Sequence, residues 1–323
     1  AARDADAVVH TFLMVNAGHE IARRREVPDL FAQIYPVFTP TAAFPALMFP
    51  PLPLGRVYRR VTHRLFTASF WWGSRVGYAL LRRGHPDLPP LSGWPFDARD
   101  RRPPPVLYGF SPHIVPKPPD WGADIHVTGY WPLQPPDDWT PSEALTRFLA
   151  AGPPPIFVGF GSMIARDAER ITRVVLAALR RCDQRGILAG GWGGVRRAVD
   201  TASDDLLWIE GAPYEWLFPR VAAVVHHGGA GTTATGLRAG RPTVVVPFVA
   251  DQPFWGRRVA ALGVGPSPIP VRRLTVDALT TAIQQVATDA EMRARAADLG
   301  ASLRAEDGIA RVVAAFESEV NQW

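Results

Sequence analysis

A pair of histidines followed by glycine and threonine is the part of this sequence best suited to chemistry. The run HHGGAGTT occupies residues 226–233. Glycine allows a backbone to approach a phosphate closely, and a helix that starts there offers free N–H groups and a favourable dipole. His227, Thr232 and Thr233 add side-chain donors for phosphate oxygens. The run therefore predicts a phosphate-binding turn.

An acid and an amide, Asp251 and Gln252, follow a second apolar run, Thr243 to Val246. Ligands of an open α/β sheet bind outside the carboxyl ends of its strands. We therefore expect both side chains to share a crevice with the glycine turn. A carboxylate and an amide in that place suit the hydroxyl groups of a sugar.

Other chemistries fit this stretch less well. It lacks the lysine of a P-loop and the GxGxxG spacing of a dinucleotide fold. His226 and His227 are adjacent, and no nearby His, Cys or Glu completes a metal site. The remaining alternative is a glycine turn that serves only packing.

The elements around the turn form a strand–turn–helix–strand pattern. Val221 to Val225 is a short, β-branched apolar run, which is typical of a buried strand. A helix-like segment then continues through Arg238 and is closed by Gly240 as a C-cap. From Pro155 onward, short apolar runs alternate with helical segments, which predicts an α/β domain with a parallel, doubly wound sheet.

With these residues in place, the sequence resembles the family 1 nucleotide-sugar glycosyltransferases, in their sterol-type and antibiotic-aglycone branch. The similar segments are HHGGAGTT…GRPTVVVPFVADQPFW, PPPIFVGFGSM and GAPYEWLFPRVAAVVHHGG. The resemblance covers nearly all of residues 150–320 and, more loosely, residues 1–135. It implies the GT-B fold, with two Rossmann-like domains that each contain a parallel sheet.

The resemblance and a proline-rich linker divide the chain. We expect a partial acceptor-binding domain at residues 1–140 and a donor-binding domain at residues 141–305. Residues 306–323 are expected to form a helix that packs back on the first domain. The chain does not open on methionine, and Ala5 to Val9 already has a strand pattern, so we expect the first domain to be incomplete at its N-terminus.

The resemblance also implies which residues bind the donor. Ser162, His227 and the glycine turn would hold the diphosphate, and the loop at Ala212 and Pro213 would lie along the uracil ring. The full expected set is Ser162, Ala212, Pro213, His227, Gly229, Ala230, Gly231, Thr232, Thr233, Asp251 and Gln252. The resemblance implies a uridine donor. Thr235 stands where the plant branch has an acid for the ribose, and the loop after Pro213 lacks the plant Gln, so a deoxythymidine donor stays open.

The implied reaction is an inverting transfer of a hexose from a nucleoside-diphosphate sugar, with UDP-glucose expected, to a hydroxyl of a hydrophobic acceptor such as a sterol, polyketide or lipid-like aglycone. No cofactor and no metal are expected, since no DxD pair follows a strand of the donor domain. The catalytic base is expected upstream of Ala1, because neither His10 nor His19 matches the family's motif. The alternatives are a non-catalytic binder of nucleotide sugars, either a fragment or a helper subunit, and a related GT-B epimerase.

Composition limits the partners and the compartment. The chain has 323 residues, of which 47% are hydrophobic, and a formal charge of +5. Its basic residues are scattered, which argues against a nucleic-acid surface. Cys182 is the single cysteine, so no intramolecular disulfide can form. With no signal-like opening and no apolar run of about 20 residues, a cytoplasmic protein is expected.

Residues 44–85 combine a proline-broken apolar segment with a helical pattern rich in arginine and aromatic residues. One interpretation is an amphipathic element that touches a membrane surface or a hydrophobic acceptor. The other is a helix whose aromatic side chains pack in the core of the domain, and we expect this for most of them. Peripheral contact with an anionic membrane is thus a further hypothesis.

Overall fold

A computed structural model describes residues 4–85, 90–91, 93–97, 102–161, 163, 167–190 and 203–323. The chain divides into two compact units, one formed by residues 1–131 with 307–323 and one by residues 132–306. Each unit contains one parallel sheet flanked by helices. The predicted α/β class with two parallel sheets is confirmed.

The first unit contains a four-stranded sheet with the strands in sequence order. They are β1 (Val8–His10), β2 (Asp29–Gln33), β3 (Val106–Tyr108) and β4 (Ile125–Val127), and every neighbouring pair is parallel. Helix α1 (Val15–Arg25) connects β1 to β2, and helix α2 (Gly55–Gly84) lies in the connection from β2 to β3.

Helix α2 is a single helix of 30 residues. Its inner face packs on aromatic residues of the first unit: the ring of Phe70 lies 4.6 Å from that of Phe12 and 4.9 Å from that of Phe38, between centroids. Phe66 contacts the same two rings. The expected core role therefore holds for Phe66 and Phe70, whereas Trp72 is 64% exposed.

The second unit is organised around a five-stranded parallel sheet in the order β7-β6-β5-β8-β9. Its strands are β5 (Ile156–Gly159), β6 (Gly186–Ala189), β7 (Leu206–Ile209), β8 (Ala223–His226) and β9 (Thr243–Val245). Strands β6 and β7 extend the sheet on one side of β5, and β8 and β9 extend it on the other. The strand order therefore reverses between β5 and β8, and Gly159 pairs with His226 at their carboxyl ends. Such a reversal opens a crevice for a ligand.

The helices of the second unit cover both faces of this sheet. They are α3 (Glu143–Ala150), α4 (Ala168–Arg181), α5 (Tyr214–Leu217), α6 (Ala230–Arg238), α7 (Gln252–Ala261), α8 (Val276–Thr288) and α9 (Ala290–Ala305). One core cluster includes α4, α8 and the strands they cover, and a second cluster includes α3, Phe157 and Phe218. None of the described helices is long and apolar enough to cross a bilayer.

The last helix, α10 (Gly308–Asn321), belongs to the first unit. Glu319 on this helix is only 7% exposed. Its two carboxylate oxygens accept hydrogen bonds from Arg102 and His126, each at 2.8 Å. Because an unpaired buried carboxylate is costly, these two partners fix how α10 docks on the unit.

Candidate functional site

The glycine turn lies at the carboxyl end of β8, at the point where the strand order reverses. Gly228 has φ +88°, and a Cβ on it would lie 2.5 Å from Cγ1 of Val245. A Cβ on Gly229 would collide with Nε2 of His227. Position 228 requires glycine because its backbone is left-handed and a Cβ would meet Val245, whereas a side chain at position 229 would displace the imidazole ring of His227.

Helix α6 begins directly after this turn. Its N-cap residue, Gly229, has no side chain to accept a hydrogen bond from the first turn. The first N–H groups of any α-helix lack acceptors within the helix. Gly231 is exposed and Thr232 is half-buried, so this helix start is accessible. It has the geometry and the dipole of an anion-binding site.

The two histidines have different environments. His226 is fully buried, and its Nδ1 accepts a hydrogen bond from the backbone N–H of Gly228 at 2.9 Å. Burial, with the neighbouring His227, lowers the pKa of His226 to about 3. It therefore stays neutral and holds the turn.

His227 lies half-buried between the two glycine-containing loops of the crevice. A Cβ on Gly161, after β5, would lie 3.3 Å from its Cε1. Burial lowers the pKa of His227, so its imidazole is neutral at pH 7 and carries one N–H donor. Its Nδ1 has no hydrogen-bond partner in the described part of the chain. A neutral imidazole beside a helix N-terminus can donate to an anionic ligand.

Two predicted donor residues use their side chains for hydrogen bonds within the fold. Thr233 is fully buried and its hydroxyl donates to the carbonyl of Gly229 at 2.9 Å. Gln252 is 4% exposed, and its Oε1 accepts from the backbone N–H groups of Phe248 and Val249 at 2.7 and 3.0 Å. These hydrogen bonds hold the loops of the site, and direct contact of the two side chains with a ligand stays a prediction.

Asp251 lies beside the start of α6, where the sequence places it. Its Oδ2 accepts a hydrogen bond from the indole N–H of Trp255 at 2.8 Å. Burial raises the pKa of Asp251, while hydrogen bonds from Trp255 and from the backbone, including that of Ala230, lower it in part. The contact with Ala230 brings this carboxylate to the first residue of the helix. Asp251 and the glycine turn therefore form one site.

The remaining predicted residues lie after other strands of the same sheet. Ala212 and Pro213 are half-buried in the loop that follows β7, and Pro213 caps α5. Ser162, in the loop after β5, lies outside the described residues. No group of three His, Cys, Asp or Glu side chains comes together as a metal site among the residues that the structure describes.

Comparisons with known proteins agree with this geometry. Residues 173–318 match the family "Erythromycin biosynthesis protein CIII-like, C-terminal domain". The sterol 3-beta-glucosyltransferase UGT80A2 of Arabidopsis thaliana is 41% identical over 286 residues, which are 86% of this chain and 43% of that protein. The chain belongs to the family 1 glycosyltransferases. A sterol 3-beta-glucosyltransferase of Neosartorya fischeri is 36% identical over 93% of this chain and 21% of its own length.

Solved structures give the same fold for this family 1 chain. The calicheamicin glycosyltransferase CalG4 superposes with a TM-score of 0.66 at 18% identity, over 99% of this chain and 75% of that one. The glycotransferase of kitacinnamycin gives a TM-score of 0.70 at 20% identity, over 98% and 77%. These likenesses support the GT-B fold. The chain spans less than half the length of the curated relatives described above.

The structure adds Glu215 to the candidate site, a residue that the sequence analysis missed. The hydroxyl of Thr235, on α6, lies 3.3 Å from Oε1 of Glu215, on α5. The two residues are 20 positions apart and belong to different motifs, so their spacing gives no signal. An acid two residues after Pro213 is the only hint that the sequence offers.

Two histidines of the first unit share one carboxylate. His10 Nε2 and His19 Nδ1 both donate to Oδ2 of Asp29, each at 2.8 Å. Burial alone would raise the pKa of Asp29, but these hydrogen bonds outweigh it and the pKa is lowered. Asp29 begins β2, at the amino end of the strand, whereas ligands of parallel sheets bind at the carboxyl ends. The cluster therefore fastens α1 to the sheet and is not assigned as a catalytic base.

Proposed function

We propose that this chain is the donor-binding part, with some of the acceptor-binding part, of an enzyme that transfers a hexose from a nucleoside-diphosphate sugar to a hydrophobic alcohol. The observation that carries the proposal is the turn of Gly228 and Gly229, with His227 and the start of α6, at the reversal of the strand order. The names of the sterol glucosyltransferase relatives support glucose as the sugar and a sterol-like acceptor.

The chemistry of the site suits a displacement in which the nucleoside diphosphate leaves. The acceptor oxygen attacks the anomeric carbon from the opposite face, and configuration inverts. Negative charge then grows on the diphosphate, where the N–H groups of α6 and the neutral His227 can stabilise it. These donors would replace a metal ion, so we expect transfer to continue in the presence of EDTA. No described residue is assigned as the base that accepts the acceptor's proton.

The proposal is tested first by donor binding and then by transfer. Calorimetry with the 323-residue protein should show binding of UDP, because the proposed site lies within the second unit. A folded protein that binds neither UDP nor dTDP would contradict the donor site. Transfer from UDP-glucose to sterols and to hydrophilic sugars, measured with the longest form of the protein, then distinguishes an enzyme from a non-catalytic binder of nucleotide sugars.

The outer face of α2 supports a second part of the proposal, contact with an anionic membrane. The outward side of this helix carries exposed apolar residues at intervals of four or seven positions: Val57, Val61, Leu65, Trp72, Val76 and Leu80. Val57 is 76% exposed. The helix is about 45 Å long at 1.5 Å per residue. Apolar residues on one stripe of a long surface helix are typical of helices that lie in a membrane interface.

The charge of α2 indicates which kind of partner its outer face would contact. The helix contains seven arginines and no aspartate, glutamate or lysine. A second copy of the chain would bring a second set of seven positive charges against the first, which is repulsive. Anionic lipid is complementary instead, at about 1 kcal/mol for each basic residue near the surface. We propose that this face rests on the membrane that contains the acceptor.

The vesicle experiment compares the wild type with a variant of the outer stripe. Wild-type protein should cosediment with phosphatidylcholine vesicles that contain phosphatidylserine, and less so at high salt. Leu65→Glu with Trp72→Glu should abolish this, whereas Leu133→Glu, a change at an 86% exposed residue of the second unit, should not. No cosedimentation of the wild type, or a dimer in light scattering that the double variant dissociates, would contradict the membrane surface.

A further inference from the structure

The carboxylate of Glu215 lies between two parts of the proposed donor site. Glu215 is the second residue of α5, which directly follows the loop of Ala212 and Pro213. Its hydrogen-bond partner, Thr235, lies on α6, three residues after Thr232. The Glu215–Thr235 contact therefore links the loop expected at the base to the helix expected at the diphosphate.

The covalent structure of a nucleotide indicates which part of the donor would lie beside Glu215. In any nucleoside diphosphate, the pentose is bonded to the base on one side and to the α-phosphate on the other. A group placed between a base loop and a phosphate helix is therefore placed for the pentose. A carboxylate is an acceptor with several lone pairs, and it can accept hydrogen bonds from both hydroxyls of a vicinal diol.

Glu215 makes few contacts that would stabilise the fold. It is half-buried, and it takes part in no ion pair within the described residues. Its described partner is the Thr235 hydroxyl, which also lies 3.2 Å from the carbonyl oxygen of Gly231. An acid placed this way adds little stability, yet its carboxylate is held against α6 by the Thr235 hydroxyl.

We propose that Glu215 binds the 2′- and 3′-hydroxyls of the donor ribose, that Thr235 positions its carboxylate, and that the pair selects ribonucleotides over deoxyribonucleotides. The proposal rests on the donor site of the proposed function. It also decides the donor class that the sequence left open, in favour of uridine over deoxythymidine. The acid that binds the diol comes from α5, and position 235 supplies the hydroxyl that holds it.

The test is calorimetry of the 323-residue protein with UDP and with 2′-deoxy-UDP, which differ in one hydroxyl. The wild type should bind UDP about tenfold more tightly, which corresponds to about 1.4 kcal/mol. Glu215→Ala should bring the two affinities within about twofold, mainly by weakening UDP. Thr235→Val should reduce the preference in part. Glu143→Gln, a change at an exposed acid on α3, should preserve the tenfold preference.

The outcomes separate this proposal from the one on which it rests. If the folded wild type binds neither nucleotide, the donor site is wrong and the ribose contact is wrong with it. If it binds both equally, the donor site stands and Glu215 does not bind the ribose. A Glu215→Ala protein that keeps the tenfold preference would place ribose recognition on other residues. Thermal melting of each variant shows that a lost preference is not lost folding.

Discussion

His227 owes its chemistry to being neutral and partly enclosed. The ring lies between the loops of Gly161 and Gly229, and burial lowers its pKa. We expect His227→Ala to remove one donor from the leaving diphosphate and to reduce transition-state stabilisation by about 2–4 kcal/mol. The measurement is kcat/KM for UDP-glucose in the longest active form of the protein. Turnover near that of the wild type would show that the ring only fills space.

His226 should make the stability of the protein depend on pH. Its pKa is about 3 in the folded protein, against the ordinary histidine value of 6.5. Between these values the unfolded chain takes up a proton that the folded protein does not. Stability is therefore complete above pH 6.5 and falls as the pH is lowered, by up to about 1.4 kcal/mol per pH unit from this group.

His226→Asn is the variant that tests this pH dependence of stability. The Asn side-chain oxygen can accept from Gly228 as Nδ1 does now, but it does not titrate. The free energy of unfolding, measured with urea at several values between pH 7.5 and 4.5, should fall less steeply in the variant. An unchanged slope would mean that other groups carry the pH dependence.

For the individual residues of the candidate site, the sequence predicted the residue types but not how each side chain is oriented. His227, the glycines and Asp251 lie together as expected, because strand ends and helix starts fix where they must be. Thr233 points inward because it lies one residue beyond Thr232 on a helix, about 100° around its axis. Glu215 was missed because its partner is on another helix.

Among the elements, the turn between β8 and α6 is the most constrained. Gly228→Ala would place a Cβ against Val245 in a left-handed backbone, and we expect a loss of about 2–4 kcal/mol in stability. Gly231→Ala, inside α6 where a Cβ meets nothing within 4 Å, should be neutral or slightly stabilising. Urea unfolding of both variants measures the difference, and equal effects would contradict the steric argument.

The periodicity of the sequence predicted the strands of the second unit well, since buried parallel strands appear as short β-branched runs between helices. Helix α2 was harder. Its sequence mixes two apolar faces, one on Phe12 and Phe38 and one facing outward. A periodic pattern shows that such faces exist, but only tertiary packing decides which one is covered.

For the whole molecule, the two units should respond separately to mutation. Glu319→Gln leaves one of Arg102 and His126 without a carboxylate oxygen, and we expect the first unit to lose about 1–2 kcal/mol. Hydrogen exchange in α10 should accelerate, whereas UDP affinity should stay the same. Glu317→Gln, at an exposed position on the same helix, is the matched control. A change in UDP affinity would contradict the independence of the two units.

The bond between Asp251 and the indole of Trp255 has an optical consequence. The indole of Trp255 donates directly to that carboxylate and is fully buried. Indole emission responds to nearby charge, so a sugar that hydrogen-bonds to Asp251 would shift the emission maximum of Trp255. A difference spectrum between the native protein and Trp255→Phe would then report occupancy of the crevice directly, without a labelled ligand.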